Sequence, residues 1–271
     1  LSCVLKVCAN MQNIHHGRLI HKDIIARNLE LDVSIEETLI YMYVKLRSLE
    51  DASRLFAASE KRDLTTWNIM MAGYSQQGLE HYALKLFKEL LQEDLSPNEA
   101  TFSCILNACA CIGEIEQGRL IHCQACEDGY IQDIVLGNTL VDMYSKFADF
   151  EDAKAVLDKL NFQDVVAWNS MLGGLVDQGC GDIAVRLFWE MQENNVRPNE
   201  VTFICILNAC STVGSLKHSK LVHQKLLQCR IDVDSILGNC LIDMYLRCGN
   251  LEEAVTVFSK LHNRDAVSYN I

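Results

Sequence analysis

Between positions 64 and 98 the apolar residues fall in two helical runs. Trp67, Met70, Met71 and Tyr74 recur at close to i, i+3, i+4 and i+7, the spacing that lines one helix face. Gly78 breaks the run, and Tyr82, Leu84, Leu86, Phe87 and Leu90 populate a second helix that Ser96-Pro97 ends. The pattern predicts a helical hairpin, and it recurs 101 residues later at 165–199, where Trp168, Asn169, Phe188 and Pro198 take the places of Trp67, Asn68, Phe87 and Pro97. It begins again at 266–271, with Tyr269-Asn270 in place of the Trp-Asn pair. A lone hairpin of this size cannot bury its apolar face, so a fixed period of this kind predicts stacked repeats and an extended superhelix with a concave surface.

The unit of 101 residues divides into three kinds of hairpin, of 35, 35 and 31 residues. The second kind, 99–133, recurs at 200–234 and, truncated, at 1–32; its markers are Cys8, Cys109 and Cys210 and then His21, His122 and His223. The third kind, 134–164, has copies at 33–63 and 235–265, aligned through Tyr43, Tyr144 and Tyr245 and through the small residues Ala52, Ala153 and Ala254, a column suited to close helix packing. The expected architecture is a single all-α array over 1–271, right-handed by the resemblance described next, with both ends cutting through a repeat.

The Trp/Tyr-Asn start, the LF.EM second helix and the Pro-Asn exit, alternating with NAC…G..IH and GN.L.DMY.K units, resemble pentatricopeptide repeats of the mixed-length type. In that scheme 64–98 and 165–199 are ordinary motifs and 266–271 begins another; 1–32, 99–133 and 200–234 are long; and 33–63, 134–164 and 235–265 are short. The resemblance implies a right-handed α-solenoid that binds single-stranded RNA in plant mitochondria or plastids, and for mixed-length members the choice of sites for cytidine-to-uridine editing.

The resemblance further implies base reading by a polar residue near the start of each first helix together with the last residue of the motif. The candidate pairs are Asn68 with Asn98, Asn138 with Asp164, Asn169 with Asn199 and Asn239 with Asp265. Amides and carboxylates present donors and acceptors to a Watson–Crick edge. By resemblance Asn with Asn favours a pyrimidine, often cytidine, and Asn with Asp favours uridine. Capping is the competing role: Asn or Asp at a motif's end serves equally well as the N-cap of the next helix. The pairs Glu37/Asp63, Ile204/Asp234, Ser2/Asp32 and Ser103/Asp133 depart from the pattern or belong to long motifs and are not assigned.

Charge alters this picture locally. A net charge of −12 with a pI near 5.1 argues against a general polyanion sink, which rests on clustered Lys and Arg. Six of the acids, Asp32, Asp63, Asp133, Asp164, Asp234 and Asp265, form the motif-end column. Against them Lys45, Lys146 and Arg247 recur at one point of the short motifs, as possible phosphate contacts or as cations complementing a helix C-terminus. Trp67, Trp168 and Tyr269 fall where core residues are expected rather than stacking platforms.

No stretch of 18 apolar residues suggests a membrane span. The 13 cysteines recur inside apolar runs, which reads as a reducing compartment rather than a disulfide framework. Cys123 and Cys126 form a CxxC beside His122, but no second ligand pair follows at zinc spacing, so no metal or other cofactor is expected. Deaminase chemistry needs H-x-E with P-C-x-x-C, and neither occurs, so any deaminase would be supplied in cis beyond this stretch or in trans, with editing-complex proteins as further partners. The alternative reading is a protein-interaction scaffold of tetratricopeptide type, against which stand the unequal repeat lengths and the missing W-x₂-L-G-x₂-Y signature.

Overall fold

A computed structural model describes residues 2–27, 33–59, 62–93, 95–160, 164–261 and 266–270. Among them the chain forms α-helices joined by short turns, with no strand. The chain divides into two compact units, 1–131 and 132–271.

The first unit holds α1 (Ser2–Asn10), α2 (Ile14–Ala26), α3 (Val33–Lys45), α4 (Leu49–Ala58), α5 (Leu64–Ser75), α6 (Glu80–Gln92), α7 (Glu99–Ile112) and α8 (Ile115–Glu127). Successive pairs are antiparallel hairpins. First helices also pack on one another, α1 on α3, α3 on α5 and α5 on α7, while α2 leans on α3, α4 on α5 and α6 on α7. The second unit repeats the scheme with α9 (Ile134–Lys146), α10 (Phe150–Lys159), α11 (Val165–Asp177), α12 (Gly181–Glu193), α13 (Glu200–Val213), α14 (Leu216–Cys229), α15 (Ser235–Arg247), α16 (Leu251–Lys260) and α17 (Ala266–Asn270).

Each first helix is therefore flanked on several sides by other helices, which is why so many of its residues are buried. Trp67, Met70 and Met71 are at most 1% exposed, and Phe102 and Phe203 are fully buried. The Trp67 ring meets Phe56 edge-on at 4.7 Å, and Arg62 lies over both rings. Trp168 is buried in the equivalent place, but Tyr269, expected in the core, is 67% exposed. Its ring meets the edge of Phe258 at 5.5 Å.

Small residues set the approach of the two helices of a hairpin. Ala52, Ala153 and Ala254 are all buried, and a Cβ on Gly137 or Gly238 would lie 2.3 Å from Leu160 or Leu261 of the paired segment. The buried cysteines Cys8, Cys109 and Cys210 act as small apolar residues; burial pushes the Cys109 thiol up to about 11 and that of Cys210 to about 12. Two of the repeating histidines are also structural. His21 and His223 each hold a tyrosine hydroxyl on the next first helix, Nδ1 to Tyr43 and to Tyr245 at 2.8 Å, and burial lowers the His223 pKa.

Candidate nucleic-acid interface

Six of the expected motif-end residues, Asp63, Asn98, Asp133, Asp164, Asn199 and Asp234, are N-caps of the next helix. Asp63, Asp133, Asp164 and Asp234 accept from backbone N–H groups of α5, α9, α11 and α15 at 2.8 to 3.0 Å, while Asn98 and Asn199 cap α7 and α13. The capping role is thus real. It occupies one side-chain oxygen, and in Asn98 and Asn199 it leaves the amide nitrogen available.

In the ordinary motifs that geometry extends into a network. Asn68 Nδ2 donates to Asn98 Oδ1 at 3.2 Å, and Asn169 Nδ2 donates to Asn199 Oδ1 at 3.0 Å. The same Asn98 oxygen accepts from Thr101 N, and the same Asn199 oxygen from Thr202 N, both at 3.0 Å. These bonds assign the amide orientations, because a backbone N–H can only donate. Asn98 Nδ2 and Asn199 Nδ2 have no partner among the described residues, so each pair presents donors. In the short motif Asn138 Nδ2 donates to Asp164 Oδ2 at 2.5 Å while Asp164 Oδ1 takes the cap bond. That pair presents a carboxylate, and hence an acceptor.

Three of the four sequence-derived pairs are therefore brought into contact across 26 to 30 residues of chain. In the fourth, Asn239 is only 8% exposed and accepts from Ser268 Oγ at 2.6 Å; Asp265 lies outside the described residues.

The pairs open onto clefts between neighbouring first helices. One of about 430 Å³ is lined by Tyr41 and Lys45 of α3 and by Thr65, Asn68 and Ala72 of α5, with Asn98 at its edge. Another, of about 270 Å³, joins Asp142 and Lys146 of α9 to Asn169 and Gly173 of α11. Lys45 and Lys146 thus share a cleft with a candidate reader. Both are engaged locally, Lys45 over the Tyr41 ring at 5.8 Å and Lys146 with Asp142 at 2.8 Å, and Arg247 pairs likewise with Asp243 at 2.8 Å. Exposed i,i+4 pairs of this kind are worth only about 0.3 to 0.5 kcal/mol, so exchange for a phosphate is cheap.

One column escapes the sequence reading. Val135, Val166, Val201, Ile236 and Val267 occupy the second position of successive first helices of the second unit and are 51% to 64% exposed. The signal was a β-branched residue off the core stripe at the start of these five helices; against their apolar background it did not stand out.

Among known families, the PPR repeat family model matches residues 62–111 and 163–212, and a single PPR repeat matches 239–265. The chain belongs to the pentatricopeptide repeat family. A chloroplastic pentatricopeptide repeat-containing protein of Arabidopsis thaliana is 32% identical over 267 residues, covering 98% of this chain and 33% of the relative. A mitochondrial one from the same plant is 30% identical over 267 residues, covering 98% and 42%. This pentatricopeptide repeat chain thus spans about a third to two fifths of the curated relatives it matches. Of solved structures, the pentatricopeptide repeat protein PPR10 in complex with an 18-nt psaJ RNA element superposes with a TM-score of 0.74 at 20% identity, over 93% of this chain and 39% of that one. The fold is that of a pentatricopeptide repeat α-solenoid.

Proposed function

We propose that this chain binds single-stranded RNA in a sequence-specific way, one base per motif, through Asn68/Asn98, Asn138/Asp164, Asn169/Asn199 and Asn239/Asp265. The observation that carries the reading is the pairing itself. An amide from inside one first helix meets the cap of the next, in the same register in successive motifs, with hydrogen-bonding atoms left over for a base edge. Val135, Val166 and Ile236 supply exposed apolar surface three residues before Asn138, Asn169 and Asn239, and Lys45, Lys146 and Arg247 exchange their local partners for phosphates. With few phosphate contacts and acids close by, binding is modest in its salt dependence. PPR10, whose fold this chain shares, was crystallised with an RNA element, and relatives are named for chloroplasts and mitochondria. We therefore place the protein in an organelle.

The motif order of long, short and ordinary further supports membership of the mixed-length class, the division at 32, 63, 98, 133, 164, 199, 234 and 265, and a role in choosing sites for C-to-U editing as part of a longer protein, with the deaminase acting in cis or in trans.

The test follows from motif order. The four pairs belong to the third, fifth, sixth and eighth motifs, so the specified pyrimidines are spaced by two, one and two nucleotides, a pattern identical in either strand direction. RNAs carrying it, titrated by fluorescence anisotropy, should bind more tightly than RNAs with purines at those places. Equal affinity for both sets, or none, refutes sequence reading.

A further inference from the structure

The reading amides have a second, deeper partner. Thr101 Oγ1 lies 2.8 Å from Asn68 Oδ1, Thr202 Oγ1 lies 2.7 Å from Asn169 Oδ1, and Ser268 Oγ lies 2.6 Å from Asn239 Oδ1. Each hydroxyl sits at the third position of the first helix that follows the reader, and each residue is at most 4% exposed. At two of the three places the backbone N–H of Asn98 or Asn199 donates to this oxygen, at 3.2 and 3.0 Å, so the hydroxyl proton has two acceptors within reach, the cap Oδ1 at 2.9 and 3.0 Å and the reader's Oδ1. The cap oxygen already accepts a backbone N–H and the reader's Nδ2, which leaves the reader's Oδ1 as the better acceptor.

The same position differs elsewhere: after Glu37 it is Thr66, whose hydroxyl donates to the cap Asp63. After Ser103 and Ile204 of the long motifs it is Leu136 and Leu237, both fully buried. After Asn138 it is Ala167, and there Asn138 Oδ1 is buried without a hydrogen-bond partner. An amide flipped end for end presents an acceptor where it had presented a donor, which inverts what it selects. In an Asn/Asn pair the cap Oδ1, pinned as an acceptor by the backbone N–H, is shared between that N–H and the reader's Nδ2, so the hydroxyl at the reader's other end reinforces the choice. In Asn138/Asp164 the carboxylate, which only accepts, suffices to hold Nδ2 toward it.

We propose that Thr101, Thr202 and Ser268 are positioning residues that set the donor and acceptor ends of the preceding motif's reader, and thereby its base specificity. The role rests on the base-reading function above. It adds a determinant that lies one motif downstream of the amide it governs and never touches the RNA.

The test uses the whole chain and the pyrimidine-patterned RNAs, each of the four specified positions being varied singly between cytidine and uridine. Thr202→Val, which keeps shape and loses the hydroxyl, should reduce discrimination about fivefold at the one base read by Asn169/Asn199, the size of one net hydrogen bond. The other positions should not change, and Thr202→Ser should restore the loss. In an Asn199→Asp background, where a charged cap oxygen binds the reader's Nδ2 more strongly, Thr202→Val should cost less discrimination than in the parent; a merely structural role would cost the same in both backgrounds. Ala167→Ser supplies the missing partner to Asn138 without removing any contact, so it keeps the test decisive if Thr202→Val does not fold. It should sharpen uridine preference at the Asn138/Asp164 base about twofold to threefold. Discrimination in the parent that neither Thr202→Val nor Ala167→Ser alters overturns the positioning role. A parent with no discrimination at any position overturns base reading itself, and this role with it.

Discussion

Replacing Asn199 with Asp changes one terminal atom and should rewrite one base. Asn199 Oδ1 accepts from Thr202 N and from Asn169 Nδ2, each at 3.0 Å, and a carboxylate oxygen does both equally well. Asp and Asn rank together as N-caps, and a negative charge at the start of α13 is favoured by the helix dipole, so folding stability should stay within about 0.5 kcal/mol of the parent. The other end of the side chain changes from an N–H donor to an oxygen acceptor. Cytosine offers an acceptor at N3 and loses a bond, while uracil offers an N–H and gains one to a charged oxygen. Lost and gained bonds of these kinds sum to about 3 kcal/mol when dry. Asn199 is exposed, so water competes, and half that value is expected: about 1.5 kcal/mol, or slightly over tenfold in the ratio of cytidine to uridine affinity. The ratio must be measured rather than a single Kd, because the added charge weakens every RNA alike. Anisotropy titrations with RNA pairs differing at one position read it directly. An unchanged ratio at all four positions, shifts at several, or a loss of more than about 1 kcal/mol in stability would each refute the division of labour assigned to the two ends of Asn199.

Three other outcomes test the scaffold. Trp67→Ala empties a fully buried site packed against Phe56 and should cost about 3 to 5 kcal/mol in chemical denaturation, whereas Asn68→Ala should alter RNA affinity at one base with far less effect on unfolding. Ala148 has φ of +57° where the next copy of the motif carries Gly249 at +71°, so Ala148→Gly should raise stability by about 0.5 to 1 kcal/mol, and a fall would show that the left-handed turn is not strained. Burial raises Cys109 to about 11 and Cys210, Tyr43 and Tyr245 to about 12. These groups hold their protons in the folded chain after the unfolded chain has lost them. Their contribution is complete below the unfolded values near 9 to 10 and is lost as pH rises toward 12, so the melting temperature should fall across that window, less steeply in Cys210→Ala with Tyr245→Phe.

Much of this protein was legible in its residue pattern because stacked repeats are local. A hairpin of 31 to 35 residues carries its own core stripe, turn glycine and cap, and contacts mainly its neighbours, so the period alone fixes the fold class. Trp67, Trp168, the buried cysteines and the Ala52, Ala153 and Ala254 column could be placed in the core from spacing. Tyr269, at the same spacing, is exposed instead.

The candidate site divides along the same line. Sequence supplied the residue types and their register: an amide early in a first helix and an Asn or Asp at the motif's end. Only the folded chain decides which atom of each is spent on capping and which remains, because that depends on hydrogen bonds closed across a helix interface. The Oδ1 of Asn98 serves the cap and its Nδ2 does not; Thr101 looks in sequence like an ordinary capping-box residue, yet it also reaches Asn68. The exposure of Val135 and Val166 was hidden for a related reason. A β-branched residue at the second position of a helix is compatible with either face, and the tilt of one first helix on the next settles which it takes. Composition and period determine that this chain is an array of helical hairpins; the packing of each hairpin on the next determines what that array offers to a base.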